Sequence, residues 1–297
     1  MPKNDIISLP PEIAAARDRI NGMAPYSALV IDAGNTSTTL ALYRSGEKTI
    51  EASVPVRGGI SAARGECAKA IRRVFAAADA HGEAVSFAML SSVTPGVNES
   101  WRRLVREESG LELSMVRHDM PLPFAIGVPV PASVGADQIA DMAAAVMLYG
   151  SPSIVIDIGT AVSYDLISED GRFFVCVIGP GPEILARSLH DYTALLPLVE
   201  WWEKEPPQLP NDTEGAMLFG IDAGFCGTIR ETVKRLLPLS GNSTRLIATG
   251  GFAPRFVSQL GMDFIIDRDL TLKGIGLLAG ISRSVGASAD RPTARSR

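Results

Sequence analysis

Cysteine and histidine are scarce in this 297-residue chain, three of each, and they are widely scattered. Cys67, Cys176 and Cys226 form no Cys-x-x-Cys pair. That excludes the common zinc frameworks and a disulfide scaffold, and leaves free thiols that pack in a reducing compartment. His81, His118 and His190 are too dispersed for a histidine-based metal cluster. An excess of either charge is also missing: 28 basic residues face 33 acidic ones, for a net charge of −5. That balance argues against nucleic acid or an anionic membrane as a partner. No apolar run reaches the ~18 residues of a membrane-spanning helix. The opening MPKNDIISLPPEIAAARDRI mixes charges and prolines and has no signal-peptide core. A soluble, cytoplasmic protein is expected. Apolar residues are plentiful, at 46%. Over this length they can fill two cores, so two domains are expected.

Residues 1–26 read as an arm, in which PPEIAAARDRINGM has helical spacing between Pro10-Pro11 and Gly22. Residues 286–297, GASADRPTARSR, are small and polar and read as a disordered tail. Between them strands and helices alternate. ALVIDAGNT, TTLALYRS and EKTIEASVPV are strands, followed by the helix ARGECAKAIRRVFAAADAHG. VSFAMLSSV is a buried strand, VNESWRRLVREESG a helix and LELSMVR a strand. The proline-rich MPLPFAIGVPVPASVG breaks regular structure before the helix GADQIADMAAAVMLYG. Three strands follow in SIVIDIGTAVSYDLISEDGRFFVCVIGPG. GPEILARSLHDYTALLP, DTEGAMLFGIDAGFCGTIRETVKRLLPL, FAPRFVSQLG and TLKGIGLLAGISRSVG are helical in pattern, with short strands LIATGG and DFIIDRDL among them.

Two segments share one plan. VIDAGNTSTTLALYRSGE and VIDIGTAVSYDLISEDGR each run from a strand into Asp-x-Gly, then polar Asn/Thr or Thr, then a second strand. Asp32 and Asp157 stand 125 residues apart, so this is a duplication at domain scale. A plain hairpin turn is one reading of each segment, since Gly and Asn suit positive φ. The other is a phosphate-binding hairpin. There Gly34 lets the backbone approach an anion, Asn35 and Thr36 donate hydrogen bonds, and Asp32 faces a metal–phosphate group. Gly159, Thr160 and Ala161 repeat the pattern in the second segment. Thr249-Gly250-Gly251 ends a later strand, and its bare backbone suits close approach to an adenine or ribose. Two such hairpins and a Gly-Gly turn, in this order, fit a nucleoside triphosphate with Mg²⁺ and a phosphoryl-transfer reaction.

DAGNT, DIGTA and ATGG resemble the two phosphate motifs and the adenosine motif of the acetate kinase, sugar kinase, Hsp70 and actin superfamily. The nearer resemblance is to the type III pantothenate kinase family, carried by DAGNT (32–36), SSVTP (91–95), GADQ (135–138), DIGTA (157–161) and VIGPG (177–181). YTALLPLVE, DTEGAMLFGIDAG and DLTLKGIGLLAG resemble its later segments, so the likeness spans about residues 27–282. It implies an α/β fold of two ribonuclease H-like, actin-like ATPase domains with an interdomain cleft, at 27–134 and 135–285. It implies ATP-dependent phosphorylation of pantothenate in coenzyme A synthesis, with Mg²⁺ and a monovalent cation, K⁺ or NH₄⁺, in a homodimer. Asp137 matches the general base. Asp32, Gly34, Asn35, Thr36, Gly159, Thr160, Ala161, Gly250 and Gly251 match nucleotide contacts, with Asp32 reaching Mg²⁺ through phosphate. Asp157 matches the monovalent-cation ligand, and Gly135, Gln138, Val128 and Thr213 match acceptor-site positions.

Three positions depart from the family pattern. Gln138 replaces an arginine, Val128 falls near a usual tyrosine, and Val175-Cys176 replaces Gly-Gly. Arginine is a fixed cation with five donors, whereas glutamine is neutral with two. A buried, charge-paired arginine contact is worth roughly 2–5 kcal/mol. Arg172 and Arg187 are the nearest replacement cations in sequence. All three changes fall on the acceptor side, which keeps two alternatives open: a kinase of another small hydroxylated acceptor, or a regulatory homologue that retains only the fold. Helix capping is the alternative for Asp137 and Thr213, and a simple strand end for Gly250-Gly251. Trp201-Trp202 with Leu195, Leu196 and Leu198 reads equally as a dimer surface or a core patch.

Overall fold

The computed structural model describes residues 11–201, 204–241 and 243–289. The chain divides into two compact units, 1–151 with 170–173 and 269–297, and 152–169 with 174–268. Helix α1 (Pro11–Asn21) leads into β1 (Ser27–Ala33), β2 (Ser37–Arg44) and β3 (Thr49–Arg57), then α2 (Ile60–Ala80), β4 (Val85–Ser92), α3 (Asn98–Ser109) and β5 (Leu113–Met115). A two-residue strand, β6 (Ala125–Ile126), interrupts the proline-rich stretch, and α4 (Ala136–Ala144) continues as a π-turn over 145–149. Next come β7 (Ser153–Ile158), β8 (Ala161–Ile167), β9 (Arg172–Pro180), α5 (Pro182–Asp191) and α6 (Thr213–Ser240). The chain closes with β10 (Arg245–Thr249), α7 (Ala253–Val257), β11 (Phe264–Ile266) and α8 (Leu270–Ala289).

The duplication is visible in the sheets. The first runs β3-β2-β1-β4-β5, and the second runs β9-β8-β7-β10-β11, with β6 beside Arg172 and Phe173 of β9. In both, the opening strand pairs antiparallel with its hairpin partner and parallel with the fourth strand. The two aspartates occupy equivalent places, next to last on β1 and on β7.

In the first unit one sheet face carries Leu29, Ile31, Leu40, Leu42 and Leu90, which pack on Ile71 and Val74 of α2 and Trp101 and Leu104 of α3. Strand alternation turns Val30, Asp32, Tyr43, Met89 and Ser91 to the opposite face. There α8 and α4 pack on the sheet and on each other. Glycines on α8 permit the close approach. A Cβ on Gly276 would stand 2.6 Å from Tyr43 Cδ2, and one on Gly274 2.5 Å from the Ala140 carbonyl carbon. Both α4 and α8 group with the first unit, because α8, through its glycines, closes against β1, β2, β4 and α4, and α4 also packs on β4. In the second unit Ile154, Ile156, Ile158 and Tyr164 pack on Phe225, Ile229 and Val233 of α6.

The expected tail also changes. Helix α8 continues to Ala289, since Gly286–Ala289 adds only small residues that do not terminate it, and 290–297 lie outside the described residues. Residues 1–10 of the expected arm also lie outside them. Trp201 belongs to the core, edge-on to Phe252 at 4.7 Å, whereas Leu195 is exposed; Trp202 lies outside the described residues. Cys67 and Cys226 are buried as expected. Cys176 is not: it is exposed, because alternation along β9 turns inward Phe173 and outward Cys176 and Ile178. Among the described residues no helix is long and apolar enough to cross a membrane.

At the other end of the first sheet from the Asp32 turn, Arg44 bonds Glu83 at 2.6 Å, Glu51 at 2.9 Å and Glu47 at 3.1 Å, and Ser27 also donates to Glu83. Arg44 first and Ser27 second hold the Glu83 carboxyl down at about 2. A carboxyl depressed in the folded state stabilises it above the unfolded pKa of about 4.3 and loses that contribution as pH falls through the folded value. Unfolding midpoints measured from pH 5 to pH 2 are therefore expected to fall. In Arg44→Met the fall over that window becomes shallower.

Candidate functional site

The first half-site grows from the turn between β1 and β2. Gly34 N–H donates to Ser37 O at 3.0 Å, closing a tight loop that leaves Asn35 and Thr36 exposed. Neither Gly34 nor Asn35 adopts a positive φ, so the expected positive-φ hairpin does not form. The glycine is needed for room instead: a Cβ there would stand 3.2 Å from Ser37 O. Gly58 N–H binds Thr36 O at 3.2 Å and fastens the loop to the end of β3. Asp32 is half-buried and in register with Thr39 of β2 and Ser91 of β4. Residues paired across strands share a face. The carboxylate therefore stands between two hydroxyl residues.

The second half-site repeats this row. Asp157 is in register with Ser163 of β8 and Thr249 of β10. Ser163 Oγ donates to the buried Asp165 carboxylate at 3.0 Å. Gly159 N–H closes the turn on Ala161 O at 3.0 Å, and Thr160 and Ala161 are exposed. Two further backbone segments are pressed against this loop. Gly181 N–H donates to Thr160 O at 3.0 Å, and a Cβ on Gly181 would stand 2.8 Å from the Thr160 carbonyl carbon. Gly250 adopts φ +89°, and its Cβ would stand 2.5 Å from Ile158 O while overlapping Asp157 Oδ1. Phe252 N–H then donates to Ile158 O at 3.1 Å. Around Gly251 nothing lies within 4 Å of a Cβ, so that side is open. Gly250 is thus filled by protein, and Gly251 alone of the pair offers bare backbone.

The third element is the start of α4, in the first unit. Gly135 is the N-cap, not Asp137, because Asp137 sits at the second helical position. Its Oδ1 accepts the Gln138 N–H at 2.9 Å. A side chain on Gly135 would overlap that same oxygen, so the glycine makes space for the carboxylate. Burial is the largest influence on Asp137 and raises its pKa, while backbone hydrogen bonds oppose the shift. A more basic carboxylate at a helix start is suited to proton abstraction. Thr213 likewise does not cap α6. Asp212 does, accepting the Gly215 N–H at 2.7 Å, and Thr213 is left exposed at the first helical position.

Among the described residues no cluster of three or more His, Cys, Asp or Glu could cage a metal. Single half-buried carboxylates flanked by hydroxyls fit Mg²⁺, which keeps waters and is completed by substrate phosphates.

A family model for type III pantothenate kinase matches residues 28–235. The chain belongs to the type III pantothenate kinase family. It is 32% identical over 253 residues to the type III pantothenate kinase of Syntrophobacter fumaroxidans, covering 84% of this chain and 96% of that one. It is 33% identical over 257 residues to that of Methylacidiphilum infernorum, covering 85% and 88%. Among solved structures it is similar to the activator of the 2-hydroxyisocaproyl-CoA dehydratase from Clostridium difficile with bound ADPNP, at TM-score 0.52 and 11% identity over 92% of this chain and 100% of that one. The ethanolamine utilization protein EutJ from Carboxydothermus hydrogenoformans aligns at TM-score 0.51 and 17% identity over 90% and 99%. Both likenesses speak for the fold alone, the actin-like ATPase architecture with two mixed sheets.

Within this kinase family the acceptor-side departures take on a physical meaning. Gln138 is the third residue of α4, and its Oε1 accepts the Gly135 N–H at 3.0 Å. This is the reciprocal half of a capping box, which glutamine can form and arginine, having no acceptor, cannot. Val128 is half-buried just beyond β6. Val175 packs on the second unit's core while Cys176 faces out. Arg187 pairs with Glu183 along α5 at 3.1 Å, and Arg172 lies 3.9 Å from Asp170 at the start of β9. Gly181 and Ser91 carry no signal of a role in the sequence itself. Only strand register and backbone contact reveal them.

Proposed function

We propose that this chain transfers the γ-phosphoryl group of ATP to the hydroxyl of pantothenate, the opening step of coenzyme A synthesis. The observation that carries the reading is the pair of equivalent Asp-x-Gly hairpins, the second wedged by Gly181 and Gly250, in a chain of this kinase family. Asp32, Gly34, Asn35 and Thr36 on one unit and Gly159, Thr160, Ala161 and Gly251 on the other bind the nucleotide, and Gly250 shapes the loop. Mg²⁺, reached from Asp32 through phosphate, neutralises charge on the transferring group. Asp157 holds a monovalent cation, K⁺ or NH₄⁺. Asp137 takes the proton from the attacking hydroxyl, and Gly135, Gln138, Val128 and Thr213 line the acceptor. The domains 27–134 and 135–285, each with one copy of the strand–hairpin–strand plan, descend from one duplicated ancestor. The protein works in the cytoplasm, where ATP is abundant, as a homodimer that uses exposed second-half residues such as Tyr192, Leu195 and Phe219. The test is ADP release by the purified protein with ATP, Mg²⁺, K⁺ and pantothenate. Turnover that needs pantothenate supports the reading, and ATP binding without turnover for pantothenate defeats it.

The Gln138 cap favours a second reading, in which the acceptor is another small hydroxylated molecule that needs no arginine. Gln138→Arg decides between them. It removes a capping bond and puts a cation at a helix N-terminus, so stability falls by about 1 kcal/mol in urea denaturation. If pantothenate is the acceptor, the added fork also lowers its KM. Unchanged or raised KM points to the other acceptor class.

A further inference from the structure

We infer that Ser91 is a positioning residue for Asp32 in the metal–nucleotide state, an inference that rests on the ATP-dependent reading above. Ser91 is fully buried on β4, in register with Asp32 and on the sheet face that α4 and α8 cover. Its Oγ has no hydrogen-bond partner. A buried hydroxyl left unsatisfied costs free energy, so a bond that this Oγ gains on ligand binding is favourable. The counterpart of Ser91 in the second half-site is Thr249 of β10, which stands in register with Asp157 as Ser91 does with Asp32. When the nucleotide and its metal draw the Asp32 carboxylate into one orientation, the Ser91 O–H donates to it and fixes that orientation. The hydroxyl thus acts through Asp32 and touches neither nucleotide nor acceptor.

The test is calorimetric titration of the full chain with ADP, with Mg²⁺ and with EDTA, for wild type, Ser91→Ala, Asp32→Asn and the double variant, beside thermal unfolding without ligand. A hydrogen bond to a charged group contributes enough to change affinity by roughly ten- to a hundredfold. Ser91→Ala is therefore expected to weaken MgADP by at least about tenfold while leaving metal-free ADP within about twofold. Its unliganded Tm should be unchanged or raised, because an unsatisfied group has been removed. In the Asp32→Asn background the same change should have no further effect on MgADP. If wild type binds MgADP and Ser91→Ala binds it equally well, or loses metal-free ADP to the same degree, this inference fails and the kinase reading stands. If wild type binds no ADP in either condition, both fail. Should Ser91→Ala not fold, Ser91→Cys, which keeps the volume with a weaker donor, is held to the same outcomes.

Discussion

Asp137→Asn is expected to lower kcat with pantothenate by roughly 100- to 10,000-fold, the range removed with a general base, while MgADP affinity stays within about twofold. Asparagine keeps the size of the side chain and an oxygen that can accept the Gln138 N–H. It loses only the basicity. The competing role, support for the α4 N-terminus, makes the opposite prediction. A carboxylate in the first turn ordinarily stabilises a helix through its dipole, and its loss then costs about 0.3–1 kcal/mol. Here burial outweighs the backbone bonds and raises the Asp137 pKa. A carboxyl whose folded pKa lies above its unfolded value binds more protons folded than unfolded, so its contribution to stability declines as pH rises through that interval. At neutral pH the charged form is held at a cost. Asp137→Asn should be at least as stable as wild type in urea at pH 7, and nearly inactive. A variant that is less stable yet fully active would assign Asp137 to the helix instead.

The fold was largely legible because its signals are local. Short apolar runs bounded by turns gave the strands, and the repeated Asp-x-Gly hairpin exposed the duplication that the two sheet orders display. The grouping of α4 with α8 has no local signal. Helices α4 and α8 are far apart in sequence, and what joins them is the fit of Gly274 over the Ala140 backbone, a non-local contact. Composition could not place Cys176 either, since whether a strand residue faces in or out depends on register, and a one-residue shift reverses it. At the site, the hairpin residues were readable as a motif. The cap formed by Gln138 has a sequence signal, a glutamine three residues after a helix cap, but the family motif at the same positions masks it. Ser91 was invisible for a firmer reason. A serine at the end of a buried strand is ordinary until the partner strand shows which side chain stands beside it.

Gly250→Ala and Gly251→Ala, adjacent and chemically identical changes, are expected to part company. At Gly250 the backbone lies at φ +89°, where a Cβ is strained, and the added methyl meets Ile158 O and the Asp157 carboxylate. The loop must move, and overpacking of this kind costs typically about 1–3 kcal/mol beyond the strain itself. The loop that moves carries Asp157, Gly159 and Thr160. Loss of stability and loss of MgADP affinity, by well over tenfold, should therefore appear together, since a shift of about 1 Å in a positioning group is enough to cost 100-fold. At Gly251 a methyl meets no protein atom within 4 Å. Its stability should stay within about 0.5 kcal/mol of wild type, as for an uncrowded surface change. If the open side of Gly251 is where the nucleotide's adenosine lies, that variant loses ADP affinity alone. Calorimetry and urea denaturation on the two proteins separate the cases. Affinity lost at Gly250 and kept at Gly251 would mean that the glycine pair shapes the phosphate loop from behind and that the adenosine rests elsewhere.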